Sequence, residues 1–368
     1  MFTLDISSID SWLPSSKKPL VIAGPCSAES EEQVLDTAKA IAESADISAL
    51  RAGIWKPRTR PNAFEGVGEK GLPWLVNAGK AINKPVITEV ANAQHVEKAL
   101  KAGVDMLWLG ARTIVNPFFV QEIADALEGI NIPVLVKNPI NPDVQLWIGA
   151  FERLNKAGIT KLAAVHRGFS SFEKSVYRNV PMWEIPIQLK SHFPEIDILC
   201  DPSHIAGNAS LIAEICQQAL NLGFTGLMIE SHINPTLAKS DKEQQLTPSN
   251  LGAMLNALKP KQTHSSNLKF QNKLEELRLK IDEVDNALLK KLAERIDLVA
   301  EIGKYKKDND VSILQIERWT EILESRGNWS KILDLNPHFI KTILEGVHQE
   351  SIKIQTEIMG QQTKVDTK

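Results

Sequence analysis

The chain has 368 residues, 43% of them hydrophobic and 24% charged, which is enough apolar material for a large core and excludes a disordered chain. Its 42 basic and 45 acidic side chains give a formal net charge of −3, which argues against a strongly basic nucleic-acid-binding protein. Three cysteines do not make a disulfide framework, and neither a signal peptide nor a membrane span is evident, so a reducing compartment such as the cytoplasm is expected.

The composition of the chain changes near residue 260. Glycine and proline recur up to residue 258, whereas from Asn267 onward the chain is rich in leucine, lysine and glutamate. The polar stretch between the two parts is typical of a linker. We therefore predict a first domain over residues 1–259, a linker over 260–267, a second domain over 268–360 and a frayed tail over 361–368.

The first domain contains eight short apolar runs typical of β-strands, and helical spacing follows them. Eight β-α units in about 240 residues predict an α/β fold of the (β/α)₈ TIM-barrel type, with a doubly wound open sheet as the alternative. The runs are Leu20–Pro25, Ile47–Gly53, Pro85–Val90, Met106–Ala111, Pro133–Lys137, Lys161–His166, Ile196–Cys200 and Gly226–Ile229.

Chemistry in such a barrel lies at the carboxyl ends of the strands. The cations found there would repel each other unless anions balanced them, and arginine pairs well with carboxylate and phosphate oxygens. We therefore expect a small ligand with more than one anionic group. The cations are Arg51, Lys56, Arg58, Arg112, Lys137 and Arg167, and other reactive side chains that follow the strands are Cys26, Glu89, His166, His204, Glu230 and His232.

A second group in these loops offers one thiol, one imidazole and two carboxylates, from Cys26, His204, Glu230 and Asp241. Mixed sulfur, nitrogen and oxygen donors suit a divalent transition metal better than calcium. Taken alone, Cys26 could equally be buried packing and His204 a hydrogen-bonded loop residue. The other two cysteines lie in apolar surroundings and are predicted to be core residues.

These motifs resemble, in the same order, those of 3-deoxy-D-arabino-heptulosonate 7-phosphate (DAHP) synthase, and in particular its β subfamily. The resemblance implies the first step of aromatic amino-acid biosynthesis, the condensation of phosphoenolpyruvate with erythrose 4-phosphate. It also implies a divalent metal, for which we expect Mn²⁺, with Fe²⁺, Co²⁺ and Zn²⁺ as alternatives. The matching segments are Gly24–Ser27, Arg51–Gly53, Lys56–Thr59, Gly110–Arg112, His166–Gly168, Asp201–His204, Glu230–His232 and Ser240–Asp241.

The resemblance also implies a role for each residue. The metal would be held by Cys26, His204, Glu230 and Asp241, and the reacting centre would lie near Glu89 and His166. Phosphoenolpyruvate would be bound by Arg51, Lys56, Arg112, Lys137 and Arg167, with Lys56 also catalytic, and erythrose 4-phosphate by Arg58 and Thr59. The sequence departs from its relatives at Asn138, where a glycine is usual soon after the lysine. A Schiff-base aldolase using Lys137 or Lys56 is the alternative enzyme class.

The second domain begins with a long helix. From Asn267 to Lys307 apolar residues recur every 3.5 to 4 positions without proline, which predicts one helix of about 40 residues. Such a helix cannot cover its apolar stripe within a domain of this size, so a second copy of the chain is the simplest partner. Arg295 and Lys306 share the apolar face, where a buried cation must meet an anion. Two shorter helices are predicted near Leu314–Arg326 and Pro337–Met359.

From the pattern alone, these helices are either an anion site or a coiled-coil dimerisation arm. They resemble the all-helical chorismate mutase, a three-helix chain that forms an intertwined dimer. This resemblance implies that the carboxylates of chorismate bind Arg295, Arg318, Ser351 and the partner's Arg278, while Lys306 and Gln355 face the ether oxygen. The rearrangement to prephenate then needs restraint and electrostatic stabilisation, not a nucleophile.

The sequence departs from the mutase pattern at two positions. Trp319 stands where relatives have a glutamate that holds the substrate hydroxyl, and Gln315 stands where they have an acidic residue. Together the two resemblances predict a bifunctional cytoplasmic transferase and isomerase that dimerises through its helices, with no nucleic-acid or membrane partner. We also expect prephenate or chorismate at the helical domain to inhibit the barrel. The alternative is a synthase whose helices serve only as a sensor and dimerisation module.

Overall fold

The computed structural model describes residues 3–15, 18–57, 63–261 and 265–360. The chain divides into two compact units, residues 1–263 and residues 264–368. The first unit is built around a parallel β-barrel, and the described residues of the second unit form three α-helices.

Eight parallel strands close into a barrel in sequence order, because β1 pairs with both β2 and β8. Every predicted apolar run overlaps one strand, so the barrel is confirmed and the doubly wound sheet is wrong. The strands are β1 (Leu20–Gly24), β2 (Ala49–Arg51), β3 (Val86–Val90), β4 (Met106–Leu109), β5 (Val134–Lys137), β6 (Leu162–His166), β7 (Asp197–Cys200) and β8 (Gly226–Glu230).

Helices connect and surround the strands. Several begin after a residue whose side-chain oxygen accepts a backbone N–H of the first turn, as Ser30, Asn92 and Asp143 do. The helices of this unit are α1 (Ile9–Trp12), α2 (Glu31–Ser44), α3 (Gly71–Ala81), α4 (Ala93–Ala102), α5 (Ala111–Ile114), α6 (Pro117–Ala126), α7 (Val144–Lys156), α8 (Glu184–His192), α9 (Pro202–Ala206), α10 (Ile212–Asn221) and α11 (Pro248–Ala257).

Side chains alternate along each strand between the barrel interior and the layer of helices, and this alternation decides which residues reach the barrel mouth. In β6, Ala163 and Val165 belong to the inner core, whereas Leu162 and Ala164 pack in the outer core beneath the helices. The last inward positions therefore point to the carboxyl end of the barrel. By this alternation they are Arg51, Glu89, Lys137 and Glu230.

The second unit consists of α12 (Leu268–Asp308), α13 (Ile316–Ile332) and α14 (Pro337–Gly360). The long helix predicted by the apolar pattern is confirmed, at 41 residues. Its apolar stripe is largely uncovered in the single chain, since Ile281, Val284 and Leu288 are each more than half exposed. None of the helices described is both long and apolar enough to cross a membrane.

Candidate active sites

The mouth of the barrel is a cavity lined mainly by charged side chains. Its lining contains predicted substrate-binding residues as well as two of the predicted metal ligands. These residues are Lys56, Glu89, Arg112, Lys137, Arg167, His204 and Asp241, and Arg178 lies beside them. The predicted phosphate contacts Arg58 and Thr59 lie outside the described residues.

The predicted metal ligands lie together at this mouth. One atom each from Cys26, Glu230 and Asp241 lies within 4.8 Å of the others, and Cys26 Sγ is 3.3 Å from Asp241 Oδ2. His204 Nε2 lies 3.8 Å from Glu230 Oε1, while its Nδ1 is 2.8 Å from Asp201 Oδ2. A carboxylate on one ring nitrogen is the arrangement that directs the other nitrogen towards a metal. This donor set fits a divalent transition metal.

The carboxylates around the thiol give the predicted metal site a negative electrostatic potential. Burial, followed by the charge of Glu230, raises the pKa of Cys26 to about 12. Burial also acts to raise the pKa of Asp241, but His204 and Arg178 outweigh it and hold that pKa below its ordinary value. A cation bound among these groups would offset the repulsion between the carboxylates and favour the thiolate.

Arg51 lies deeper than the other cations of the mouth. Its guanidinium is 3.1 Å from Glu230 Oε1, and both side chains are fully buried. The same guanidinium lies over the ring of Trp108, 4.8 Å from its centroid. Arg51 thus binds one oxygen of the Glu230 carboxylate. The other oxygen, Oε2, accepts a hydrogen bond from Gln244 Nε2 at 2.7 Å.

Asp201 is a further charged residue at this mouth, without a predicted role, which contacts both a predicted substrate-binding cation and a predicted metal ligand. It is fully buried, and its Oδ2 lies 2.6 Å from Lys137 Nζ. Burial acts to raise the pKa of Asp201, but His204 and Lys137 outweigh it, so the carboxyl group is ionised at neutral pH. The alternation of strand β7 was the available signal, because Leu199 faces inward and Asp201 follows two positions later.

Glu89 is held at the mouth by the barrel interior. Its Oε2 accepts a hydrogen bond from Trp108 Nε1 at 3.1 Å. Gly110 makes room for it, because a Cβ at that position would overlap Glu89 Oε1. Glu89 therefore lies in the lining of the mouth, and its place near the reacting centre stays a prediction.

His166 does not lie at the mouth, and its predicted place near the reacting centre is wrong. It follows the inward-facing Val165 and therefore faces outward, where it packs against Phe169, Trp183 and Phe224. Burial, followed by the charge of Arg167, lowers the pKa of His166 to about 3. The imidazole is thus a neutral core side chain beneath the helices.

Asn138, where the sequence departs from its relatives, connects the loops that follow β5 and β6. Asn138 Oδ1 accepts from the backbone N–H of Arg167 at 2.7 Å, and its Nδ2 donates to the backbone oxygen of Gly168 at 2.8 Å. The amide thus ties the end of β5 to the residue that follows β6. The Arg167 guanidinium in turn donates from Nη1 to Asn179 Oδ1 at 2.7 Å.

The helical unit contains a second cavity, of about 380 Å³, between α12, α13 and α14. The residues predicted for chorismate binding by a single chain all line it. They are Arg295, Lys306, Arg318, Ser351 and Gln355, and the lining also includes Arg326 and His348, which the sequence analysis did not select.

Hydrogen bonds fix several of these side chains. Arg295 Nη1 donates to Ser351 Oγ at 2.8 Å, and Ser351 Oγ is also 2.7 Å from the backbone oxygen of Val347. Lys306 Nζ lies 2.6 Å from the backbone oxygen of Ile313. Arg295 and Lys306 therefore present their charges to one pocket, as their shared helix face predicted.

Arg278 and Trp319 occupy different surroundings. Arg278 is exposed, 3.8 Å from Glu275, and lies outside this pocket in its own chain, so its role in the pocket of a partner stays a prediction. Trp319 lines the pocket and stacks on His348, with ring centroids 3.8 Å apart and planes at 14°. An aromatic wall thus stands where the resemblance implied an acidic contact.

The chain is similar to known proteins in both units. Residues 13–266 match the profile of the DAHP synthetase I family, and residues 277–356 match that of chorismate mutase type II. Phospho-2-dehydro-3-deoxyheptonate aldolase of Thermotoga maritima is 34% identical over 227 residues, which cover 61% of this chain and 64% of that protein. A 2-dehydro-3-deoxyphosphooctonate aldolase of Burkholderia cenocepacia is 25% identical over 264 residues, 65% of this chain and 88% of that protein.

Solved structures give the same result. The crystal structure of the Thermotoga maritima DAHP synthase matches with a TM-score of 0.59 and 30% identity, over 64% of this chain and 67% of that one. A truncated form of the Thermotoga maritima synthase matches with a TM-score of 0.56 and 28% identity, over 64% of this chain and 84% of that one. With its barrel, its site residues and these matches, the chain belongs to the DAHP synthetase I family and carries a chorismate mutase type II domain after the synthase domain.

Proposed function

We propose that the barrel condenses phosphoenolpyruvate with erythrose 4-phosphate, and adds one water, to give DAHP and phosphate. The observation that carries this proposal is the pairing, at one mouth, of a thiol–carboxylate cluster with a ring of cations. The cluster suits a metal, and the cations suit the carboxylate and phosphate of an enol phosphate. The family membership supports the same reaction.

The residues of the mouth have three proposed roles, which are metal binding, anion binding and proton transfer. Cys26, His204, Glu230 and Asp241 would hold a divalent metal, Mn²⁺ by preference or else Fe²⁺, Co²⁺ or Zn²⁺, and a bound metal supplies a Lewis acid for the aldehyde oxygen. Arg112, Lys137 and Arg167 hold the phosphoenolpyruvate anion, and the leaving phosphate stays among these fixed charges. Lys56 and Glu89 lie at the same cavity, where they can exchange protons with the reacting groups.

The test is direct measurement of DAHP and phosphate formed by the full-length chain. Arg167→Gln removes one anion contact, and Arg153→Gln on the outer helix α7 is the matched control. We expect the KM for phosphoenolpyruvate to rise in the first variant only. A parent chain that forms neither product with Mn²⁺ present would reject the proposal.

We propose that the helical unit rearranges chorismate to prephenate. The supporting observation is that Arg295 and Lys306 present two positive charges to one cavity, beside the neutral side chains of Ser351 and Gln355. Arg318 also lines this cavity, where its guanidinium is paired with Glu321. The reaction needs a dianion held in one conformation and positive charge near the ether oxygen, which these groups can supply.

The proposed active form is a homodimer that pairs through α12. The exposed apolar stripe at Ile281, Val284 and Leu288 needs a partner, and the same helix carries Arg278 for the second carboxylate of a neighbouring site. Sedimentation of the purified chain should give twice the monomer mass.

The proposed thiolate role of Cys26 requires a reducing compartment, in keeping with the cytoplasm.

A second candidate for the helical unit is a sensor and dimerisation module. The stack of Trp319 on His348 favours this alternative, because it places an aromatic wall in the pocket. Chorismate consumption by the full-length chain, beside an Arg295→Ala variant, separates the two. Conversion that the variant loses supports the mutase, and binding of chorismate or prephenate without conversion supports the sensor.

We further propose that prephenate or chorismate bound in the helical pocket inhibits the barrel. The two reactions are not consecutive, so a regulatory reason accounts for their fusion better than transfer of an intermediate. Inhibition requires two states of the chain that differ in affinity for the ligand. Synthase rates that stay constant up to saturating prephenate and chorismate would contradict it.

A further inference from the structure

Two adjacent residues in the loop between β6 and α8 contact different parts of the barrel mouth. The first of them, Arg178, donates from Nη1 to Asp241 Oδ1 at 2.9 Å and to Gln244 Oε1 at 2.7 Å. Gln244 donates from Nε2 to Glu230 Oε2, 2.7 Å away. Arg178 therefore fixes one oxygen of Asp241 directly, and one oxygen of Glu230 through Gln244.

The remaining oxygen of each carboxylate faces the other candidate ligands. Asp241 Oδ2 is 3.3 Å from Cys26 Sγ, and Glu230 Oε1 is 3.8 Å from His204 Nε2. The arginine and the glutamine thus occupy the outer oxygens. The inner oxygen of Asp241 is directed at the thiol, and the inner oxygen of Glu230 accepts from Arg51 at 3.1 Å on the side that also faces the imidazole of His204. This is the arrangement by which outer hydrogen bonds orient the ligands of a metal.

The second loop residue, Asn179, connects the metal ligands to the anion site. Its Oδ1 accepts from Arg167 Nη1 at 2.7 Å, and its Nδ2 donates to the backbone oxygen of His204 at 2.6 Å. The side chain of Asn179 is buried. One amide therefore sets the distance between a cation that binds substrate and the backbone of a proposed metal ligand.

Two glycines make room for this pair of side chains. A Cβ on Gly168 would lie 2.7 Å from the backbone oxygen of Asn179, and one on Gly207 would lie 2.5 Å from Arg178 Cβ. Both glycines have positive φ, +75° and +67°. The backbone on both sides is thus adapted to the close approach of Arg178 and Asn179.

We propose that Arg178 and Asn179 are positioning residues. Arg178 orients the metal ligands Asp241 and Glu230, and Asn179 holds Arg167 at a fixed distance from the metal ligand His204. The inference rests on the proposed function, since it takes Cys26, His204, Glu230 and Asp241 as the metal site. Neither residue needs to touch the metal itself. Their effect is on how tightly the metal and phosphoenolpyruvate bind.

The test uses the full-length chain, stripped of metal and titrated with Co²⁺, with the cysteine-thiolate absorption band as the signal. Arg178→Met should weaken Co²⁺ binding roughly 10- to 100-fold, the usual cost of losing such an outer contact. Arg153→Met on the outer helix α7 is the matched control and should bind like the parent. Asn179→Ala should weaken binding of phosphoenolpyruvate to the Co²⁺-loaded chain, measured by calorimetry.

The outcomes separate this inference from the metal site on which it rests. A parent that gives no thiolate band rejects the metal site and the inference with it. A parent that binds Co²⁺, with Arg178→Met within about twofold of it, overturns the role of Arg178 alone. Circular dichroism checks that each variant is folded, and should Arg178→Met unfold, Gln244→Leu breaks the same connection to Glu230 and must weaken Co²⁺ binding.

Discussion

Lys137 and Asp201 form a buried ion pair, with Nζ 2.6 Å from Oδ2. The same carboxylate lies 2.8 Å from His204 Nδ1, on the side of the ring away from Glu230. One carboxylate therefore balances a cation proposed to bind phosphoenolpyruvate and orients a proposed metal ligand. The proposed metal site and the proposed phosphoenolpyruvate site thus share Asp201, which in the proposed roles contacts neither the metal nor phosphoenolpyruvate.

Replacing this carboxylate should destabilise the barrel. Asp201→Asn leaves Lys137 buried without a counter-charge, so we expect the free energy of unfolding to fall by about 3–5 kcal/mol. Asp10→Asn, which breaks the exposed pair with Lys18, should cost less than about 1 kcal/mol. Urea unfolding at neutral pH measures both, and equal losses in the two variants would contradict the buried role of Asp201.

Metal removal should separate the two proposed activities. The thiol–carboxylate cluster lies in the barrel, whereas no carboxylate lines the helical pocket among the residues that the structure describes. A chelator should therefore stop DAHP formation and leave chorismate consumption unchanged, and added Mn²⁺ should restore the first. Synthase activity that survives complete chelation, with borohydride trapping substrate on Lys137 or Lys56, would favour the Schiff-base aldolase instead.

The ammonium of Lys306 should carry much of the proposed mutase rate. Lys306→Met removes one positive charge from the pocket, the one proposed to face the ether oxygen, so we expect kcat to fall roughly 10²- to 10³-fold, or about 3–4 kcal/mol of transition-state stabilisation. Lys304→Met, at an exposed position on the same helix, is the matched control and should keep the parent rate. Initial rates of chorismate loss measure the effect, and parallel losses in both variants would point to damage of the helix.

The outward position of His166 makes the barrel sensitive to acid. Its pKa is about 3 when folded and 6.5 otherwise, so between these values the unfolded chain binds a proton that the folded chain does not. The stability is therefore complete above pH 6.5 and decreases as the pH falls, by up to about 1.4 kcal/mol per pH unit. His166→Gln, which cannot titrate, should reduce this slope in urea unfolding between pH 5 and 7. The slope that stays comes from other histidines, such as His204, whose pKa burial also lowers.

The same variant tests whether His166 takes part in the synthase reaction. Because His166 packs against aromatic rings away from the mouth, His166→Gln should keep the synthase kcat within a few-fold of the parent. His192→Gln, at a partly exposed histidine of α8, is the matched control and should keep the parent kcat. A folded His166→Gln chain that has lost synthase activity would restore the catalytic role.

Most of the fold could be predicted because it depends on local periodicity. The helix predicted from Asn267 to Lys307 is observed as Leu268–Asp308, one residue from the prediction at each end. Strand β2 is shorter than its apolar run because Gly53 leaves the sheet and forms a bridge to Ser27 instead. Ends of elements depend on such contacts between distant loops, which periodicity does not contain.

The site could be predicted only where a motif or a face was available. Alternation within β6 would have turned His166 away from the mouth, and helical spacing would have placed His348 on the face of Ser351 and Gln355. Arg178 and Asn179 had no such signal, because they lie in an irregular loop whose course depends on its contacts with Asp241 and Arg167. The contacts of such residues can be recognised only from the structure of the folded loop.

The pairing of β1 with β8 brings the first and last strands of the barrel together. Cys26 follows β1 and Glu230 ends β8, so more than 200 residues of chain separate two donors that lie within 4.8 Å. Such a site exists only after the barrel has closed, and a chain still missing its eighth strand has no complete set of donors. Metal binding between β1 and β8 would therefore report the last step of barrel assembly. A bound ion would also stabilise the closed barrel, because opening the barrel would separate the metal ligands.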